Sequence, residues 1–160
     1  MTKAIPEGFH SVTPSMILKD SKKAIEFYKK AFGAKEHHVM INPLGKVAHA
    51  QIQIGNSNIM MADEMPQMPG CASAETLKGS PITLWIYTEN VDALFNQAVK
   101  AGATVKMPPQ DMFWGDRFGA LTDPFGFQWS LATHKEDPSP EEMKKRSEKF
   151  FADMACAGKK

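Results

Sequence analysis

The chain has 160 residues, 42% hydrophobic, 23% charged and 9% aromatic, enough for one compact domain or for two small modules sharing a core. Its 19 Lys and Arg against 18 Asp and Glu leave a net charge of +1, so no global field favours a nucleic acid or an anionic membrane. No run approaches the roughly 20 apolar residues that cross a bilayer, and Lys3, Pro6, Glu7 and Gly8 interrupt any hydrophobic signal core. The expectation is a cytoplasmic protein with no nucleic-acid or membrane partner. Cys71 and Cys156 fall in an expected linker and tail, where they make neither a framework disulfide nor a zinc site.

Residues 13–20 read as a short strand ending on a helix cap. Residues 21–32 then carry Ala24, Ile25, Phe27, Tyr28, Ala31 and Phe32 at helical spacing, and Gly33 closes the helix. Strands are expected over 35–41, 47–54 and 58–62, with turns at 42–45 and 55–57. Residues 65–80, with Pro66, Pro69, Gly70 and Gly79, read as a linker. A displacement of 70 residues then carries Thr13 onto Thr83, Asp20 onto Asn90 and Met60 onto Ser130. The second half repeats the first: a strand over 83–90, a helical stripe at Val91, Leu94, Phe95, Ala98 and Val99, and Gly102 as stop. Strands are expected at 103–107, 117–122 and 127–132, with a long loop at 108–115 and a turn at 123–126. Ser139, Pro140, Glu141 and Glu142 open a last helix whose apolar stripe is Met143, Phe150, Phe151 and Met154.

The fold class is therefore α+β. Two βαβββ modules, at 9–65 and 81–134, form curved mixed sheets around a cavity; a linker at 66–80 joins them and a C-terminal helix spans 138–156. This paired grammar, the opening from Met16 to Tyr28 and the turn Asp123-Pro124-Phe125-Gly126 resemble the vicinal oxygen chelate superfamily, which holds glyoxalase I, extradiol dioxygenases, and fosfomycin- and bleomycin-resistance proteins. The run from Phe113 to Gly119 and the segment from Ala132 to Asp137 resemble its PhnB-like branch. The resemblance implies metal ligands, His or Gln on the first strand and Glu on the last strand of each module. Those positions hold Thr13, Met60, Thr83 and Ser130, poor donors for a divalent cation. No metal and no cofactor are expected there.

Strand alternation assigns the faces. Ala48, Ala50, Ile52 and Ile54 belong under the helices, leaving His49, Gln51 and Gln53 toward the cavity. The same rule turns Thr13, Ser15, Ile17, Thr83, Trp85 and Tyr87 inward. The closing strands add Asn58, Met60, Gln128 and Ser130, while Phe127, Trp129 and Leu131 enter the core. Such a lining suits a planar or polar organic ligand, although a solvated outer face would also account for Gln51 and Gln53. Trp114 and Arg117 have two readings: a lid with an anion anchor, or a plug beside a salt bridge from Arg117 to Asp116 or another local acid. His49 is the one inward histidine and the sole candidate base, so no catalytic residue is assigned. His37 and His38, adjacent on a strand, are expected on opposite faces. Asp63 and Glu64 are expected to cap or solvate a strand end. His134, Glu136 and Asp137 read as a polar link to the tail, with an adventitious metal site as the alternative.

The leading expectation is a metal-independent binder of a small organic ligand, of the bleomycin-resistance kind. One alternative is a metal-dependent lyase, isomerase or dioxygenase recruiting His49, Asp63, Glu64 or Asp116. Another is a scaffold whose cavity is filled by Met60 and Trp85. A homodimer is expected in each case, with pairing of modules within or between chains left open.

Overall fold

The computed structural model describes residues 3–157. The chain runs β1 (Ser15–Leu18), α1 (Ser21–Phe32), β2 (Lys35–Ile41), β3 (Val47–Ile54), β4 (Ser57–Asp63), α2 (Ala74–Leu77), β5 (Thr83–Tyr87), α3 (Val91–Ala101), β6 (Thr104–Asp111), β7 (Asp116–Thr122), β8 (Gln128–His134) and α4 (Pro140–Ala157). One sheet has the order β1-β4-β3-β2 and the other β5-β8-β7-β6. In each, the opening strand lies parallel to the closing strand and the remaining pairs are antiparallel.

The repeat extends to how each helix begins. The side chains of Asp20 and Asn90 accept from the backbone N–H groups of Lys23 and Ala93, satisfying donors that a helix N-terminus leaves open. The closing strands satisfy another: Ser21 N–H donates to Asp63 Oδ1 at 2.7 Å, and Val91 N–H donates to Thr133 Oγ1 at 2.9 Å. A carboxylate and a hydroxyl thus do the same work at matching places. Asp63 also accepts from Val47 N–H at 2.9 Å, so it caps backbone as expected, but buried rather than solvated.

Both modules spend their apolar helix faces on one core. Residues of α1, β1, β3, β4, α3, β7 and β8 belong to a single buried cluster. Across it the Tyr28 and Phe32 rings meet Trp129 at centroid distances of 5.3 and 4.6 Å. Phe27 and Tyr28 meet Phe125 at 5.9 and 6.1 Å. Gln97 on α3 donates through Nε2 to the carbonyls of Lys30 and Ala31, at 3.0 and 3.1 Å, closing two C-terminal acceptors of α1.

Asp123 joins the halves. Its Oδ2 accepts from Tyr28 Oη–H at 2.6 Å and Trp129 Nε1–H at 2.8 Å, and its Oδ1 from the N–H groups of Phe125 and Phe127, each at 2.9 Å. Burial pushes the Asp123 carboxyl up from the usual range, while all four donors pull the other way. Tyr28, buried against this acid, is pushed up as well.

Two expectations about the chain's path are corrected. The long loop at 108–115 does not form: β6 continues through Pro108 and Pro109 to Asp111, leaving a turn at 112–115. An edge strand tolerates the prolines because one of its sides has no ladder to break, and the register shifts between Met107 and Gln110 absorb them. The linker contains α2, capped by Ser73, whose Oγ accepts from Thr76 N–H. The tail helix starts as anticipated, with Ser139 Oγ accepting from Glu142 N–H at 3.2 Å. It packs on its own chain, with Phe150 5.2 Å from Phe113 between ring centroids, while Phe151 and Met154 stay exposed.

Candidate functional site

With the helix faces committed to the core, the opposite face of each sheet is open. On the first sheet Gln51 pairs with Met60 and Gln53 with Asn58, which places His49, Gln51, Gln53 and Met60 together. All four are half-buried, whereas Ala50, Ile52 and Ile54 are buried. Histidines collect there beyond the single one expected. A register shift lies between Glu36 and His38, and such a bulge sets two consecutive side chains on one face. His37 Nε2 lies 3.1 Å from Gln53 Oε1, and the His38 ring is 6.2 Å from that of His49. The expectation of opposite faces fails for that reason. Among the described residues, no three His, Cys, Asp or Glu side chains stand close enough to hold an ion.

On the second sheet Thr83, Trp85 and Tyr87 alternate outward from β5. Their register partners on β8 are Gln128, Ser130 and Ala132, and β7 adds Asp116, Phe118 and Ala120. This face is aromatic. Trp85 lies 4.9 Å from Phe118 and 6.0 Å from Tyr87 between centroids, with small interplanar angles, and Trp114 meets Phe118 edge-on at 5.7 Å. Trp85 and Tyr87 are 46% and 62% exposed, a large apolar area left without cover.

Beside this shelf, three side chains converge on the buried Asp116 carboxylate. Tyr87 Oη–H and Trp114 Nε1–H donate to Oδ2, each at 3.0 Å, and His134 Nδ1 lies 2.8 Å from Oδ1. His134 Nε2 lies 3.1 Å from Oδ1 of Asp137. Each ring nitrogen therefore faces a carboxylate oxygen, an arrangement that favours the protonated ring. The hydrogen bond to Asp116, then that to Asp137, raises the His134 pKa above its ordinary value. Sequence reasoning left His134 and Asp137 in a polar link. The signal was present: two-residue alternation along β8 puts His134 on the face of Gln128 and Ser130.

Arg117 departs from the cavity set. It alternates to the helix side, where Nε and Nη2 donate to Asp92 of α3 at 2.7 and 2.8 Å and Nη1 to Asp111 at 3.2 Å. The salt-bridge reading is the one realised, with Asp92 and Asp111 rather than Asp116 as acids. Trp114 does reach the open face. Gly115 makes that turn possible: its φ is +102°, and a Cβ there would sit 2.2 Å from the Glu136 carbonyl oxygen. The Gly115 carbonyl in turn accepts from the N–H groups of Lys135 and Glu136.

A cavity of about 440 Å³ lies where the two modules meet, between the free edge of β5, residues 10–14 and the β3–β4 turn. Of the expected set it gathers Thr13, Thr83, Trp85 and Tyr87, together with Asn58. His49, Gln51, Gln53, Met60, Gln128 and Ser130 lie outside it. Trp85 borders this space instead of filling it. Asn58 is 7% exposed; its Nδ2 donates to the Gly8 carbonyl at 2.6 Å, and its Oδ1 is buried without a partner among the described residues.

The vicinal-oxygen-chelate ligand positions do not fit a divalent ion. Thr13, Met60, Thr83 and Ser130 offer hydroxyls and a thioether, where imidazole, amide or carboxylate oxygen would be required. Nearby acids are engaged elsewhere: Glu64 accepts from Ser73 N–H at 2.9 Å and Thr76 Oγ1–H at 2.7 Å, which hold its pKa down at about 2.

Among known proteins, the uncharacterized protein Mb0911c of Mycobacterium bovis is 42% identical over 123 residues, covering 76% of this chain and 81% of its own. The E. coli protein YjdN is 34% identical over 95 residues, covering 58% and 60%. Among solved structures, the Arabidopsis thaliana At5g48480 product matches with a TM-score of 0.63 at 28% identity, covering 78% of this chain and 98% of its own. The PhnB protein of Bacillus cereus matches in fold, with a TM-score of 0.61 at 18% identity over 78% and 99% of the two chains. Residues 8–131 match the family described as Glyoxalase/Bleomycin resistance protein/Dioxygenase superfamily. By this match and its repeated βαβββ modules, the chain belongs to that superfamily.

Proposed function

We propose that this protein binds a small organic molecule on the aromatic face of its second sheet, without a metal at the superfamily's usual positions. The observation that carries the reading is the shelf of Trp85, Tyr87 and Phe118, stacked yet uncovered, with Trp85 46% exposed. Aromatic area held rigid by neighbouring rings binds flat ligands with little ordering cost. The adjoining cavity of about 440 Å³ gives such a ligand depth, within the range of small-molecule sites. Two hydroxyls, a thioether and a third hydroxyl at the ligand positions support metal independence through their donor chemistry alone.

The assembly proposed is a cytoplasmic homodimer. The helix faces share one core within the chain, so both open faces point outward, and a second copy could cover them. No described helix is long and apolar enough to cross a membrane. The competing reading, a metal-dependent lyase, isomerase or dioxygenase, needs carboxylates free to ligate; Asp63, Glu64 and Asp116 each already accept at least two hydrogen bonds.

Native mass spectrometry of the purified protein, with metal analysis and tryptophan fluorescence against flat aromatic compounds, tests the proposal. An organic adduct, or saturable quenching lost in Trp85→Ala, is the expected result. Stoichiometric metal that survives dialysis and is required for binding overturns it.

A further inference from the structure

The segment between β4 and α2 reads Met65-Pro66-Gln67-Met68-Pro69-Gly70-Cys71, so a sulfur side chain returns at every third position with a proline after each methionine. Proline suits the second position of a turn, and the chain turns twice here. Met68 N–H donates to the Met65 carbonyl at 2.9 Å, and Cys71 N–H to the Met68 carbonyl at 3.2 Å. Gly70, with φ at +79°, takes the left-handed third position of the second turn. Each such turn holds its end Cα atoms within about 7 Å of one another. Met65 N–H then donates to the Cys71 carbonyl at 3.2 Å, closing the loop on itself. Met65, Met68 and Cys71 are therefore the three corners of one small ring.

The same three residues line one cavity of about 240 Å³, together with Glu64 and Thr76. Met65 and Cys71 are half-buried, and Met68 is 50% exposed. Packing accounts for a methionine that is hidden; it does not account for a thioether left open at the rim. None of the residues lining this cavity lines the one at the module junction.

We propose that this loop binds a soft monovalent cation, Cu(I), through the Cys71 thiolate and the thioethers of Met65 and Met68. Thiolate and thioether donors favour Cu(I) over hard cations. Zinc asks for four ligands, usually with imidazole or further thiolates, which this ring lacks. Glu64 Oε2 is taken up by Ser73 N–H and Thr76 Oγ1–H, so the carboxylate adds its negative charge to the cavity wall and no bond to the metal. Cys71 is in no disulfide. On binding, its S–H bond breaks, the proton passes to solvent and a Cu–S bond forms. The copper stays Cu(I) throughout, so neither oxidant nor reductant enters. Thiolate and cation together are neutral, which leaves no net charge stranded in a half-buried loop.

The test uses the reduced full chain under anaerobic conditions, with Cu(I) and its redox-inert surrogate Ag(I) as probes. Native mass spectrometry reads stoichiometry, and competition with the Cu(I) chelator bicinchoninate reads affinity. One equivalent per chain should be retained, equally in Cys156→Ser. Cys71→Ser should abolish retention. Met65→Leu and Met68→Leu, which keep the side-chain volume, should each weaken binding about tenfold or more, with circular dichroism checking the fold. In spectra of methionine methyl groups, Ag(I) should shift Met65 and Met68 and leave the remaining methionines in place. Retention unchanged in both methionine variants would reveal an ordinary reactive thiol and overturn the inference. So would retention that persists in Cys71→Ser, or the absence of any retained metal. Flat aromatic compounds should bind alike with and without the metal, so this inference and the binding reading fail separately.

Discussion

The two open faces of this molecule come from one repeated pattern and have become different surfaces. The first carries His38, His49, Gln51, Gln53 and Met60, with no buried charge organising it among the described residues. The second carries Trp85, Tyr87 and Phe118 beside a buried carboxylate that holds Tyr87, Trp114 and His134. Behind the sheets the correspondence persists, since Asp63 and Thr133 each cap a helix start from the closing strand. Positions that build the core are constrained by packing and by backbone donors, so they keep their work through changes of residue. Positions on the open faces are free of that demand, and there the two modules differ most in residue chemistry.

The largest expected effect breaks the shared half. Asp123→Ala strands the buried donors of Tyr28 and Trp129 and two backbone N–H groups, and should cost about 3–5 kcal/mol in urea unfolding. A loss under about 1 kcal/mol would mean that the two modules do not depend on this bridge. Gly115→Ala forces a Cβ into the Glu136 carbonyl at positive φ and should cost about 1–3 kcal/mol. The damage should show as faster hydrogen exchange in α4 and near Trp114, with α1 unaffected.

Trp85→Ala sharpens the contrast between faces. It should weaken binding of flat aromatic compounds by about tenfold or more with little change in melting, because the ring is half exposed. His49→Ala, on the other face, should leave both unchanged. Arg117→Gln should lower the melting temperature by less than Gly115→Ala and leave ligand affinity alone, since the guanidinium faces α3; a selective loss of anionic ligands would restore it as an anchor. The smallest effect is at Glu64. Its pKa is depressed to about 2 in the folded chain, below the usual glutamate value of about 4.3. Its contribution is present above that ordinary value and disappears as the pH falls toward about 2. Hydrogen exchange at Ser73 and α2 should accelerate in acid, and Glu64→Gln should remove the pH dependence.

Most of the fold was legible because periodicity reports burial. The stripe from Ala24 to Phe32 and its caps Asp20 and Gly33 appear where the spacing places them, and the alternation of β3 separates buried alanine and isoleucine from half-buried amides. What escaped were local breaks of period. A bulge turned His37 to the side of His38, and two prolines concealed the second half of β6, the part beyond Met107. The site was partly legible for a related reason. Alternation puts Trp85 and Tyr87 on one face of the sheet, yet it says nothing about which acid a side chain will meet. Arg117 was assigned by its proximity to Trp114, although its alternation points to the helix side. The His134–Asp116 pair depends on the register of β7 against β8, which no single strand carries in its own sequence.

The absent side chain at Gly115 allows the exit from β8 to lie directly on the turn that presents Trp114. In any chain of this design with a bulkier residue at that place, the C-terminal segment must leave along another route. Glycine there is thus a marker for sorting related sequences: those that keep it can hold the terminal helix against Phe113, and those that lack it must dock that helix elsewhere or do without it.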